Sequence, residues 1–148
     1  MVVLANGVID SDTSKQRQVA TSTNEAESRG LFRCIQRVMG FANLLKQIPV
    51  DPSNDLLKGF MSEVPVIAVD NAATVLGANN RIFTRRQRHL EVQMAYINQV
   101  VKSGLVRVVS TDDANNMADL NTKPLGKQIF ERKRDQIRKG TFSVDFGK

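Results

Sequence analysis

Three acidic residues occupy positions at which carboxylates often take part in chemistry. Glu27 lies at the start of the first long predicted helix, Asp70 ends a predicted buried strand, and Asp119 lies inside a later helix. Asp70 stands out because open α/β sheets place their reactive groups at the carboxyl ends of strands. Each acid also has an ordinary explanation, since acids complement helix dipoles, cap helices or simply face solvent. Position alone therefore leaves both interpretations open.

The chain has one histidine and one cysteine. His89 follows three arginines, which are Arg85, Arg86 and Arg88. A catalytic role for His89 is open, although a histidine without a positioned partner more often makes a surface or interhelix contact. Cys34 lies on the apolar face of the first predicted helix and is expected in the core. A single cysteine excludes a disulfide or a thiolate cluster within the chain and favours a reducing compartment.

Hydrophobic patterning predicts the elements that must position these residues. Ser22 and Glu25 have capping-box spacing, and the helix that they start should end near Gln47, before Pro49. Residues 64–70 are β-branched and apolar on both faces, which predicts a buried strand. The other predicted elements are strands at 2–9, 17–23 and 105–109, helices at 71–78, 86–103 and 127–139, a short helix around 117–120, and a loop at 49–63 with one helical turn at 55–61.

Composition indicates a single soluble globular domain, because the chain has 148 residues, of which 41% are hydrophobic and 24% charged. Residues 1–80 hold 7 Lys and Arg against 8 Asp and Glu, whereas residues 81–148 hold 14 against 7. The basic half favours a nucleic-acid partner, although a solvated helix face explains it equally well. No segment approaches the roughly 18 apolar residues of a membrane span. We therefore expect an intracellular protein, in cytoplasm or nucleus, with no membrane contact.

Four segments, in order, carry a resemblance to a known family. They are STNEAES at residues 22–28, VDNAA at 69–73, RRQRHLEV at 85–92 and NNMADLNTKPLGKQIFERKR at 115–134. Together they resemble the ribonuclease H domain of copia-type LTR retrotransposon Pol polyproteins, and the ADLNTKPL part is the most specific. The N-terminal residues resemble the second and third strands of that family.

The resemblance implies an α/β ribonuclease H-like fold, a mixed sheet flanked by helices, over residues 1–139, followed by a tail at 140–148. It implies hydrolysis of the RNA strand of RNA–DNA hybrids by two Mg²⁺ ions, with Mn²⁺ as an alternative. Glu27, Asp70 and Asp119 would be the catalytic metal ligands. The residues implied to contact nucleic acid are Asn71, which a helix-cap role explains equally well, and Arg85, Arg86, Arg88, His89 and Lys123. The two basic stretches, at residues 81–88 and 127–139, would contact phosphates.

One departure from the family bears on activity. The family's first strand, which carries the first catalytic Asp, has no counterpart here, and Asp10 and Asp12 fall in a predicted turn. We therefore expect hydrolysis to be impaired, and a strand edge to be exposed for pairing with another chain. The alternative is a catalytically inactive nucleic-acid-binding or structural relic of a transposon polyprotein.

Overall fold

The computed structural model describes residues 1–4, 7–11, 20, 22–49, 64–79, 91–112 and 115–141. These residues form an α/β protein, as the sequence predicts. The elements in chain order are β1 (Val2–Leu4), β2 (Gly7–Asp10), α1 (Thr23–Gln47), β3 (Val66–Val69), α2 (Ala72–Asn79), α3 (Glu91–Lys102), β4 (Arg107–Ser110), α4 (Asp119–Thr122) and α5 (Lys127–Lys139).

Strands β3 and β4 form a parallel pair in which Val66 lies opposite Arg107 and Val69 opposite Ser110. Parallel strands need a long crossover, and helices α2 and α3 lie in the connection between these two. The ladder continues past the last paired residues, because the N–H of Thr111 donates to the carbonyl of Val69 at 3.0 Å. The carboxyl ends of both strands therefore lie at one edge, and Asp70 follows β3 directly.

Strands β1 and β2 form a separate antiparallel hairpin. The prediction of one strand over residues 2–9 is therefore wrong, and Asn6-Gly7, a pair favoured in tight hairpin turns, is the signal that it overlooked. The predicted strand at 17–23 is wrong at its end, where Ser22 and Thr23 begin α1, and residues 17–19 and 21 lie outside the described residues. The described strands thus make two separate pairs instead of the expected single mixed sheet.

Helix α1 begins and ends where its sequence predicts. The side chain of Ser22 accepts a hydrogen bond from the backbone N–H of Glu25 at 3.2 Å, which satisfies one of the free N–H groups of the first turn. Glu25 is itself buried and pairs with Arg29 one turn later at 2.6 Å. The helix ends at Gln47, before Pro49.

The core lies between the parallel pair and helices α1, α2 and α3. Ile35 of α1 and Ile97 of α3 are fully buried. The side-chain amide of Asn98 joins two helices, because it donates to the carbonyls of Gly77 and Ala78 of α2 at 2.8 Å each. Helix α3 ends before Gly104, which has a positive φ of 66°.

Other predicted elements agree with the structure to within a few residues. Helix α2 was predicted at 71–78, β4 at 105–109 and α5 at 127–139, and α5 has the predicted bounds. The loop at 49–63 with its helical turn, residues 86–90 of the predicted helix 86–103, and residues 142–148 of the tail lie outside the described residues, apart from Pro49. None of the described helices is long and apolar enough to cross a membrane.

Replacement of Ile97 by Ala should destabilise the fold strongly, because Ile97 has no exposed surface and its truncation leaves a cavity. We expect a loss of about 2–5 kcal/mol in the free energy of unfolding. Val92→Ala in the same helix is the matched control, since Val92 is 84% exposed and should change stability by less than about 0.5 kcal/mol. Urea denaturation followed by circular dichroism measures both. Equal losses would contradict the assigned core.

Candidate functional site

A cavity of about 150 Å³ lies between helix α1 and strand β3, and two of the predicted acids line it. Glu27 comes from the second turn of α1, and Asp70 follows the end of β3. The lining is apolar apart from these two carboxylates and the amide of Asn116. It consists of Glu27, Gly30, Leu31, Cys34, Ile67, Ala68, Val69, Asp70, Asn116 and Ala118.

Glu27 and Asp70 lie close enough to repel each other. Burial is the main cause that raises the pKa of Glu27 above its ordinary value, and the negative charge of Asp70 raises it further. The ammonium group of Lys123 acts in the opposite direction. Glu27 therefore lies within the electrostatic reach of both groups.

Lys123 forms ion pairs with both Asp70 and Asp119. Its Nζ lies 3.1 Å from Oδ1 of Asp119 and 3.6 Å from Oδ2 of Asp70. Asp70 and Asp119, which belong to different elements, thus meet at one ammonium group. The Lys123 side chain is 47% exposed, so this ion pair lies at the rim of the site.

Lys133 forms a buried ion pair with Asp119. Its Nζ lies 3.3 Å from Oδ2 of Asp119 and donates to the backbone carbonyl of Asn116 at 2.7 Å. The Lys133 side chain is 1% exposed and that of Asp119 is 5% exposed. The side-chain amide of Asn116 donates in turn to Oδ2 of Asp70 at 3.1 Å. A continuous polar network therefore connects helix α5, helix α4 and the end of β3.

This burial corrects two expectations. The phosphate contact predicted for Lys133 as part of the basic stretch is wrong, because its ammonium group lies inside the protein. The solvated interpretation of Asp119 is also wrong, since this residue starts the short helix α4 and is buried there. The remaining basic residues of α5 are exposed, and they are Lys127, Arg132, Arg134, Arg138 and Lys139.

The carboxylates do not fit a metal ion as they are arranged. Carboxylate oxygens are the ligands that Mg²⁺ prefers, so the donor chemistry is suitable. Both oxygens of Asp119, however, face lysine ammonium groups, and one of these groups also faces Asp70. Among the described residues, no group of three or more Asp, Glu, His or Cys side chains could hold a metal ion. Lysine cations neutralise the acids in this arrangement.

Among the known proteins that the chain resembles are two from Arabidopsis thaliana. The chain is 28% identical over 131 residues to the retrovirus-related Pol polyprotein from transposon RE2, a match that covers 88% of the chain and 8% of the relative. It is 27% identical over 137 residues to the corresponding polyprotein from transposon RE1, which covers 93% of the chain and 9% of the relative. The chain is similar to a segment of transposon Pol polyproteins. It spans less than a tenth of the length of these Pol relatives.

No protein-family model matches the chain, and no solved structure does so either. The similarity to the Pol relatives covers the residues of all three acids, since it extends over about nine tenths of the chain. It agrees with the Pol part of the resemblance drawn from the motifs. The ribonuclease H assignment and the roles of the acids stay predictions.

The other predicted site residues have varied positions. The side-chain oxygen of Asn71 accepts a hydrogen bond from the N–H of Thr74 at 3.1 Å, which is the helix-cap role. Asp10 pairs with Arg37 of α1 at 2.7 Å, so its carboxylate is engaged away from the three acids. Cys34 packs against the core, and burial raises the pKa of its thiol, which disfavours a reactive thiolate. Arg81, Arg85, Arg86, Arg88, His89 and Asp12 lie outside the described residues.

Two residues of the network, Asn116 and Lys133, were missed as partners of the acids. Lys133 carries a signal in the sequence, because it stands four residues after Ile129 and four before Ile137 on one side of α5. A lysine in line with apolar residues is a candidate for a buried ion pair. Asn116 carries no comparable signal, since Asn is common in loops for other reasons.

Removal of the buried cation should be costly. We expect Lys133→Met to lower the free energy of unfolding by about 3 kcal/mol or more, because it leaves the buried Asp119 carboxylate without its interior partner. Arg134→Met is the matched control, since the Arg134 side chain is 44% exposed and pairs with the Asp135 side chain, which is 46% exposed; it should cost at most about 1 kcal/mol. Urea denaturation compares them. The double variant Asp119→Asn/Lys133→Met should recover part of the loss, and a loss no larger than that of Arg134→Met would refute the network.

The raised pKa of Glu27 gives a pH dependence of known sign. The raised pKa means that the ionised form of Glu27 is disfavoured in the folded state. Glu27 therefore lowers the free energy of unfolding fully at pH values above its folded pKa. This destabilisation disappears below pH 4.5, the ordinary pKa of the side chain. Glu27→Gln should therefore raise the melting temperature at pH 7, with a difference that shrinks as the pH falls to 4.5. Exposed Glu91→Gln serves as control. A Glu27→Gln protein that melts below the wild type at pH 7 would contradict this assignment.

Proposed function

We propose that the chain is the ribonuclease H-type part of a transposon Pol polyprotein, and that it binds nucleic acid while hydrolysing RNA–DNA hybrids weakly or not at all. The observation that carries this proposal is the lysine-neutralised cluster of acids at the carboxyl edge of the parallel pair. Asp70, after β3, and Asp119 of α4 meet there at Lys123, and Glu27 of α1 lies within the electrostatic reach of Asp70. Their charge compensation by lysines favours impaired hydrolysis.

Neutralisation by lysine explains why activity should be low. Binding of Mg²⁺ or Mn²⁺ at these carboxylates would require the Lys123 ammonium group to leave Asp70 and Asp119 first. The buried Lys133 would still face one oxygen of Asp119, and its positive charge would repel a divalent ion. The inactive nucleic-acid-binding relic, the alternative interpretation of the sequence, is the limiting case of this proposal.

The edge of β3 that faces away from β4 has no strand partner among the described residues. The N–H of Arg107 donates to Pro65 and that of Thr111 to Val69, so the odd-numbered residues of β3 face β4. Because backbone groups alternate in direction along a strand, Val66 and Ala68 turn their N–H and C=O groups away from β4. Within the described part of the chain, no strand pairs on that side. The cavity lined by Ile67, Ala68 and Val69 lies along β3.

We infer that this edge accepts an extended strand from another polypeptide. A strand added there would pair with the outward backbone groups of Val66 and Ala68, and its apolar side chains would enter the cavity beside α1. It would also end beside Glu27 and Asp70, where a further carboxylate would change the charge of the site. An unfilled edge would otherwise favour association with a second copy.

Nucleic-acid binding rests on charge. Five basic residues of α5 are exposed, and Lys123 is half-exposed at the rim of the acid cluster. The C-terminal half of the chain, from residue 81, holds 14 Lys and Arg against 7 Asp and Glu. Such a surface attracts phosphates with little regard to base sequence, and an A-form-like hybrid would be recognised by its shape. An intracellular site of action, in cytoplasm or nucleus, is part of the proposal.

Binding of a labelled RNA–DNA hybrid should depend strongly on salt. If several phosphates are neutralised, a rise from about 50 to 200 mM salt should weaken the affinity about tenfold or more, because condensed counterions are released on binding. Fluorescence anisotropy in EDTA measures this without hydrolysis. Reversal of two exposed charges on α5, Arg134→Glu and Arg138→Glu, should weaken binding at low salt. An affinity that does not change with salt concentration would show that the basic residues do not contact phosphates.

Hydrolysis should improve when a strand that carries a further carboxylate is added at the N-terminus. We expect the chain to cut a labelled hybrid slowly or not at all with Mg²⁺, and a chain extended at its N-terminus by an apolar strand carrying one Asp to cut faster. The same extension with Asn in place of that Asp is the control, because it restores the strand without the carboxylate. If the unextended chain cuts as fast as the extended one, and Glu27→Gln or Asp70→Asn abolishes cutting, the proposed impairment is wrong.

A further inference from the structure

Lys123 has a side chain that is more exposed than those of Asp70, Asp119 and Lys133. Its backbone is held extended, with ψ at 141°, as expected for a residue before a proline. Its side chain is 47% exposed, and its Nζ lies at a long 3.6 Å from Asp70. Long lysine side chains have many rotamers, so an exposed ammonium group can change partners at small cost.

Both acids that hold Lys123 have a second partner that stays in place. Asp119 keeps the buried ammonium group of Lys133 at 3.3 Å, and Asp70 keeps the side-chain amide of Asn116 at 3.1 Å. Departure of Lys123 therefore leaves both Asp70 and Asp119 with a partner, whereas an unpartnered buried carboxylate would be costly. The network is built so that this one cation can be withdrawn while the other contacts persist.

We propose that Lys123 is a displaceable clamp, held by Asp70 and Asp119 in the free chain and transferred to a phosphate group when nucleic acid binds. This inference rests on the proposed nucleic-acid function and adds a mechanism that the function does not require. In the free chain the two carboxylates mask the positive charge of Lys123. A phosphate must compete with them for the ammonium group, so Asp70 weakens nucleic-acid binding through Lys123.

The clamp also links the acids to the ligand. When Lys123 moves to a phosphate, Asp70 loses its ammonium partner and the negative charge beside Glu27 is no longer compensated from that side. Binding of nucleic acid would thus expose the carboxylates in the complex and keep them neutralised in the free chain. Any group that binds one state better shifts the equilibrium toward it.

A double-mutant cycle tests the clamp. Affinity for a labelled RNA–DNA hybrid is measured in EDTA at fixed salt for the wild type, Asp70→Asn, Lys123→Met and the double variant. Asp70→Asn should tighten binding about two- to fivefold, the range of an exposed ion pair, and Lys123→Met should weaken it. In the Lys123→Met background, Asp70→Asn should give no such gain. Lys123→Gln provides a second variant if the methionine variant melts at a lower temperature.

Two controls separate the clamp from a general charge effect. Glu91→Gln removes one negative charge from an exposed position in α3, so any gain that it gives measures the change in net charge alone. Lys102→Met removes an exposed lysine at the end of the same helix. Chemical acetylation followed by mass spectrometry adds a readout without nucleic acid, in which Lys123 should react faster in Asp70→Asn than in the wild type while Lys102 does not change.

The outcomes distinguish the clamp from the function on which it rests. A gain in Asp70→Asn that equals the gain in Glu91→Gln, or that persists without Lys123, overturns the clamp and leaves nucleic-acid binding intact. Failure of every variant to bind the hybrid overturns the proposed function and the clamp with it. A gain that depends on Lys123, together with faster acetylation, supports the proposal.

Discussion

The buried ion pair between Lys133 and Asp119 is the contact on which the arrangement of the site depends. An ammonium group with 1% of its side chain exposed is tolerated only beside a carboxylate and further hydrogen-bond acceptors. Asp119 and the carbonyl of Asn116 provide them, at 3.3 and 2.7 Å. The same residue, Asn116, reaches Asp70 at the end of β3. The position of α5 therefore determines where α4 lies and, through Asn116, how the strand-end acid is held.

This dependence gives the lysines two different roles in one cluster. Lys133 is part of the protein interior, where Asp119 compensates its charge. Its removal would leave the buried carboxylate of Asp119 without its interior partner, which is strongly destabilising. Lys123 belongs to the surface, where water and salt weaken its ion pairs and where an external anion can compete for it. The cluster therefore combines one cation fixed in the interior with one at its rim.

Local signals allowed much of the fold to be predicted from the sequence. The cap at Ser22 and Pro49 set the ends of α1, and residues 64–70 showed the apolar pattern of a buried strand. The hairpin at the N-terminus was missed because the mostly apolar residues 2–9 were taken as one strand, although they contain the Asn-Gly pair that favours hairpin turns. Glu27 and Asp70 line the same cavity because α1 packs against β3. Local sequence patterns carry no information on this tertiary packing, so it could not be predicted from them. Lys133 was misassigned because lysine is almost always exposed unless it is paired.

The hairpin of β1 and β2 has a consequence for the dynamics of the chain. It forms its own two-stranded sheet, and an isolated hairpin of this size is marginally stable in water. It is held by contacts with α5 and by the Asp10–Arg37 pair, whose arginine side chain is 40% exposed. Such a unit opens at a lower free energy than the core. Its amide hydrogens should exchange with solvent well before those of β3 and β4, so that the molecule unfolds in at least two cooperative stages.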